Sequence, residues 1–109
     1  MSPVAWLIFT VAAIFEVAGN ATIRHGLSRR SLAIVATGMT ALGLYGLVVN
    51  KVKWDFSKLL GVYVAFFALV SVLFGRLVFR ETTPLSTWIG LGLIIMGGIC
   101  IDAGKWPGQ

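Results

Sequence analysis

The chain has 109 residues, 58% of them hydrophobic and only 12% charged. Soluble domains carry about 25% charged residues, so a water-soluble fold is disfavoured. The net charge of +5 comes from basic residues split among short clusters between apolar stretches. Lys and Arg are expected there at membrane edges, and no nucleic-acid partner follows from them.

The first apolar stretch, residues 4–23, carries one charge, Glu16. Its length fits a span of a hydrocarbon core about 30 Å thick. A cleavable signal peptide is the rival reading. The missing basic start, the glutamate and a length beyond an h-region of about 7–15 residues favour a retained helix. A connection over residues 24–31 holds Arg24, His25, Arg29 and Arg30, with Arg24 ending the first helix and His25 meeting water. The second stretch, residues 32–49, is uncharged. Thr37 and Tyr45 are polar enough to face a cavity, but nothing in the sequence ranks them.

A connection over residues 50–58 leads to the third stretch, residues 59–79, with Arg76 near its end. Arg76 is expected to reach from its helix to the interface. A short link, residues 80–84, follows. Pro84 suits a first helical turn, with Thr83 as the expected cap. The fourth stretch, residues 85–101, is uncharged, and Asp102 closes it at the end where the helix dipole opposes a carboxylate. Trp6, Trp54, Trp88 and Trp106 fall near the expected helix ends, as interfacial anchors do.

None of the four stretches alternates as barrel strands would. The fold class expected is all-α integral membrane, one four-helix transmembrane domain over residues 1–109. Short links make successive helices antiparallel neighbours. Cys100 is the single cysteine, so no intrachain disulfide forms, and no metal-ligand spacing occurs. No phosphate loop and no nucleophile with a base are present, so neither catalysis nor a cofactor is expected.

An even number of crossings puts Lys51, Lys53, Lys58 and Lys105 on one face and Arg24, Arg29, Arg30, Arg76 and Arg80 on the other. Such a balanced bias permits insertion in both directions, and hence an antiparallel dimer equivalent to the inverted repeats of larger transporters. The glycine-rich run from Gly90 to Gly98 supplies the expected dimer interface through Gly90, Gly92, Leu93, Gly97 and Gly98, because small residues allow close helix approach in lipid. The competing reading gives these glycines to contacts within one subunit.

Glu16 is the sharpest signal. A carboxylate at mid-span costs on the order of a few kcal/mol and ordinarily marks an ion or proton pathway. Two such groups meeting in a dimer resist carrying charge together, which couples proton release to arrival of a cation. Ala12, Ala13, Gly19 and Asn20 lie three or four positions away on the same helical face, the small residues leaving room and Asn20 offering a polar partner. On the third helix Tyr63, Phe66 and Phe67 offer ring faces to a cation, and the Tyr63 hydroxyl needs a partner in lipid.

At these residues the chain resembles the small multidrug resistance transporters of the drug/metabolite transporter superfamily, over nearly its whole length. Glu16-Val17-Ala18-Gly19 followed by Arg24 is similar to that family's first-helix motif, Val62-Tyr63-Val64-Ala65-Phe66 to its third-helix motif, and the run from Gly90 to Gly97 to its fourth-helix dimerisation motif. The resemblance implies a homodimer in a bacterial inner membrane, with protons and a small cationic substrate competing at Glu16, Tyr63 beside it and Asn20 lining the site. Phe66 stands where the drug exporters have tryptophan, the glycine after it is absent, and the loop before the third helix lacks their proline. Gly19 is more similar to the quaternary-ammonium exporters than to the guanidinium exporters. The ending from Asp102 to Trp106, with the third-helix variant, resembles the YnfA-like branch. The function implied is proton-coupled export of small organic cations. The alternatives are one half of a heteromeric transporter, or a membrane subunit that scaffolds or regulates without transporting.

Overall fold

The computed structural model describes residues 2–104; Lys105 and Trp106 lie outside the described residues. Among those described, every regular element is an α-helix: α1 Pro3–Ser28, α2 Leu32–Val49, α3 Phe56–Leu77 and α4 Leu85–Ala103. All four are long and apolar enough to cross a membrane. The chain divides into two compact units, Ser2–Lys51 and Val52 onward, each a helical hairpin.

In the first hairpin Pro3 occupies the first turn of α1, and the Ser2 hydroxyl accepts from the Ala5 N–H at 3.2 Å. The helix then runs past the expected end at Ile23 to Ser28. Arg24, expected at the helix end, and His25, read as a loop residue, are both helical and exposed on its last turns. Its end is closed by Ser31 N–H donating to Gly26 O at 2.9 Å and Arg30 N–H to Leu27 O at 3.3 Å. Arg30 takes a φ of 51° there, the left-handed position usually given to glycine. Ser31 immediately caps α2, its hydroxyl accepting from Ile34 N–H at 3.3 Å. The reversal therefore takes only residues 29–31.

Packing between α1 and α2 is set by missing side chains. A Cβ on Gly26 would fall 2.7 Å from the Val35 nitrogen. One on Gly38 would fall 2.6 Å from the Ile23 side chain and 2.7 Å from the Gly19 carbonyl, and one on Gly19 would meet Leu42 at 3.1 Å. In lipid the hydrophobic effect does not drive helices together, and close backbone approach of this kind does. Many large apolar side chains remain exposed, Leu32 at 84% and Leu47 at 69%, which fits surfaces solvated by acyl chains.

The second hairpin has the same logic at fewer points. Gly61 is met by Ile101, and Gly98 by the Ala65 side chain at 3.0 Å from a virtual Cβ. Helix α3 starts at Phe56, a turn earlier than expected, and ends at Leu77 rather than Phe79. The expected Thr83 cap is not formed. Pro84 itself is the N-cap of α4, held at φ −69° and ψ 160°, so Thr83 sits one residue too far upstream. Asp102 also differs from expectation, because it is not simply exposed at an unfavourable helix end. Its carboxylate lies 3.7 Å from the Lys58 ammonium, which is itself 4.1 Å from the centre of the Trp54 ring. The Lys58 side chain, read as loop charge, is 10% exposed in this clasp.

Hydroxyls inside the spans are satisfied locally. Thr10, Thr22, Thr37 and Thr40 each donate to the carbonyl four residues back, and Ser71 donates to Ala68 O. This removes the cost of exposing a donor to hydrocarbon.

Candidate functional site

Glu16 lies midway along α1, a helix of 26 residues. At 1.5 Å per residue that helix is roughly 39 Å long, so Glu16 is about 20 Å from either end, well inside a hydrocarbon core. It is half-buried in the first hairpin.

What it faces follows from the packing register. Gly26 meets Val35, Ile23 meets Gly38, and Gly19 meets Leu42, so each step back of three or four residues on α1 is matched by an equal step forward on α2. The next step back from Gly19 is Glu16, and the matching step forward from Leu42 is Tyr45. The register thus carries the Tyr45 phenol toward the layer of the Glu16 carboxylate. One further step on each helix leads to Ala12 and Val49, which are 0% and 1% exposed. A carboxylate and a phenol thus occupy one polar layer between a layer of glycine and leucine and a sealed layer of alanine and valine.

The residues singled out from the sequence distribute as follows. Ala12 and Ala13 are fully buried. Gly19 is buried, and the space its missing side chain leaves is filled by the Gly38 carbonyl and Leu42, so the absent side chain serves helix contact. Asn20 is exposed and donates through Nδ2 to the Glu16 backbone carbonyl at 2.9 Å, not to the carboxylate. In the second hairpin Tyr63 is buried and Phe66 and Phe67 are half-buried on α3. Gly90, Gly92 and Gly97 have open space where a side chain would project, and Leu93 is 64% exposed, whereas Gly98 is occupied by Ala65. Tyr45 is the residue the sequence left unranked that the register brings forward. Thr37, named with it, is exposed and bonded to its own helix.

No group of three or more His, Cys, Asp or Glu able to hold a metal ion occurs among the described residues. Cys100 is exposed on α4.

Similar chains agree with this architecture in name and extent. A UPF0060 membrane protein of Mycobacterium marinum is 33% identical over 95 residues, 85% of this chain and 86% of the relative. One from Nocardia farcinica is 31% identical over 93 residues, 84% of each chain. One from Ectopseudomonas mendocina is 28% identical over 99 residues, covering 89% of this chain and 90% of its own. No family model matches the chain, and no solved structure matches it. With four membrane-type helices and relatives matched over more than four fifths of both chains, the protein belongs to the UPF0060 family of membrane proteins, the YnfA-like branch of the resemblance.

Proposed function

We propose that this chain is a secondary transporter related to the small multidrug resistance type, a proton-coupled exporter of small organic cations in a bacterial inner membrane. The observation that carries the reading is Glu16 at mid-span, half-buried in the first hairpin. A carboxylate held in hydrocarbon costs on the order of a few kcal/mol, and such groups mark ion pathways. A proton neutralises the group when no cation is bound; a cation replaces the proton when one arrives. The phenol of Tyr45 can donate to the carboxylate in its charged form, and so favours the cation-loaded state.

The two hairpins form one four-helix domain in this reading, and two chains in opposite orientation assemble as a homodimer with one shared site. Support for assembly through α4 comes from the open positions Gly90, Gly92 and Gly97 and the exposed Leu93; Gly98 serves its own hairpin. Tyr63 and Phe66 contribute the aromatic faces that attract a cation by about 0.5–2 kcal/mol each when desolvated.

The test is proton release from purified protein on addition of organic cations, together with proton-driven uptake into vesicles, for the wild type and Glu16→Gln. Release and uptake that both vanish in the variant are expected. Uptake that persists in Glu16→Gln refutes the mechanism.

A further inference from the structure

At the end of the second hairpin, where α3 gives way to α4, the chain forms an open cleft of about 260 Å³ lined by Ser71, Val72, Glu81, Thr82, Thr83 and Thr87. Five of these six side chains carry oxygen, in a hairpin whose surface is otherwise mostly apolar. The cleft is shaped by the backbone. Arg80 adopts a φ of 54°, the left-handed conformation, and turns the chain so that Glu81 N–H donates to Gly75 O at 3.1 Å. The Glu81 carboxylate then lies over Gly75, with Oε1 only 2.5 Å from where a Cβ would stand. Glycine at this point lets the acid fold against the last turns of α3.

The lining chooses among ligands. A carboxylate with four hydroxyls and no basic side chain disfavours an anion. A calcium ion asks for about six to eight oxygen ligands, more than one carboxylate and four hydroxyls supply at one oxygen each. A quaternary ammonium is recognised by aromatic faces, and no aromatic residue lines the cleft. What remains is a cation that donates hydrogen bonds, a primary ammonium, for which a carboxylate and hydroxyl oxygens are the matching acceptors.

The surroundings add a second charge. Arg76 and Arg80 are exposed at the same end of the hairpin, the Arg76 guanidinium 6.0 Å from the centre of the Trp88 ring. This end falls between the termini of two membrane-type helices and beside a tryptophan, so it lies at headgroup depth. An acceptor-lined cleft with two exposed arginines at the same end of the hairpin complements a zwitterion, its phosphate outside and its ammonium within.

We propose that this cleft binds the headgroup of phosphatidylethanolamine, with the ammonium on Glu81 and the threonine and serine oxygens and the phosphate on Arg76 and Arg80. The site belongs wholly to the second hairpin and does not depend on Glu16 or on transport. Full-length protein in phosphatidylcholine nanodiscs, titrated with phosphatidylethanolamine, reads it through the backbone amide shifts of Gly75, Thr82, Thr83 and Thr87. Saturable shifts are expected on adding phosphatidylethanolamine and not in phosphatidylcholine alone, and Glu81→Gln weakens them at least about tenfold, the value of a hydrogen bond to a charged group. Gly75→Ala, which keeps the charge and displaces the carboxylate, weakens them too. The double change Arg76→Gln with Arg80→Gln weakens the lipid response and leaves the response to free methylammonium unaltered. Equal shifts without phosphatidylethanolamine, or shifts unaltered in Glu81→Gln and Gly75→Ala, overturn the site. Saturation by methylammonium that equals the lipid response, and that the arginine changes do not separate from it, overturns the lipid assignment.

Discussion

Two glycines five residues apart on α2 separate the packing argument from helix propensity. A Cβ on Gly38 would stand 2.7 Å from the Gly19 carbonyl and 2.9 Å from the Ile23 nitrogen, where ordinary contact begins at 3.4 Å. Both neighbours are backbone, so no rotamer change relieves the clash. Gly38→Ala must push α1 and α2 apart by about 0.7 Å. A gap of about 0.5–1 Å forfeits a quarter to a half of each dispersion contact along the seam, and overpacking of this kind costs about 1–3 kcal/mol. The gain in helix propensity from glycine to alanine, about 1 kcal/mol, offsets part of it. The net expectation is a loss of about 0–2 kcal/mol. Gly43 has nothing within 4 Å of its virtual Cβ, so Gly43→Ala keeps the propensity gain without the clash. The two variants should therefore differ by about 1–3 kcal/mol, roughly one to two orders of magnitude in the unfolding equilibrium. Reversible unfolding in mixed micelles, followed by helicity, measures the difference. Equal stability of Gly38→Ala and Gly43→Ala would falsify the close backbone seam.

Three further outcomes are expected. Asp102→Asn leaves the largely covered Lys58 ammonium without its carboxylate and should cost about 1–2 kcal/mol, less than a fully buried pair because Asp102 is 28% exposed; a double-mutant cycle with Lys58→Met that shows no coupling removes the clasp. Ser31→Ala deletes the hydroxyl that accepts from Ile34 N–H and should lower stability by about 1 kcal/mol in the same unfolding assay, with an unchanged midpoint as the contrary result. Tyr45→Phe keeps the ring and removes the hydroxyl opposite Glu16, so apparent cation affinity should fall roughly tenfold while the protein stays folded, the scale of a hydrogen bond to a charged partner; equal affinity in a proton-release titration assigns Tyr45 to packing alone.

Four membrane helices are legible in the sequence because hydrocarbon thickness dictates their length and the charges punctuate them. Helix ends are less so, and the first connection shows why it matters. Placing the end of the first helix at Ile23 centres the turn near Leu27 and sets Met39 opposite Glu16. The helix in fact continues through Arg24 and His25 to Ser28, since these residues are tolerated at headgroup depth and the left-handed Arg30 closes the helix without a glycine. That shift moves Tyr45 into the layer of Glu16. Gly26 gave no such signal in the sequence, since its burial and its contact with Val35 appear only once the helix is seen to continue past it. Asp102 was unreadable for a different reason, as its partner Lys58 lies far away in sequence and only the antiparallel register of α3 and α4 joins them.

The same register explains why one acid can sit between two apolar helices at all. A carboxylate wedged into the tight part of the seam would have to displace backbone, since Gly19 and Gly38 leave no room even for a methyl group. Glu16 comes one step after the tight contact at Gly19, where the register carries glutamate toward tyrosine, and one step before the buried Ala12 and Val49. The glycines fix the distance between the helices, and that distance fixes the width of the polar layer. Widening the seam at Gly38 should therefore disturb Glu16 and Tyr45 even though neither is touched, so the stability of the hairpin and the geometry of the candidate site are set by the same missing side chains.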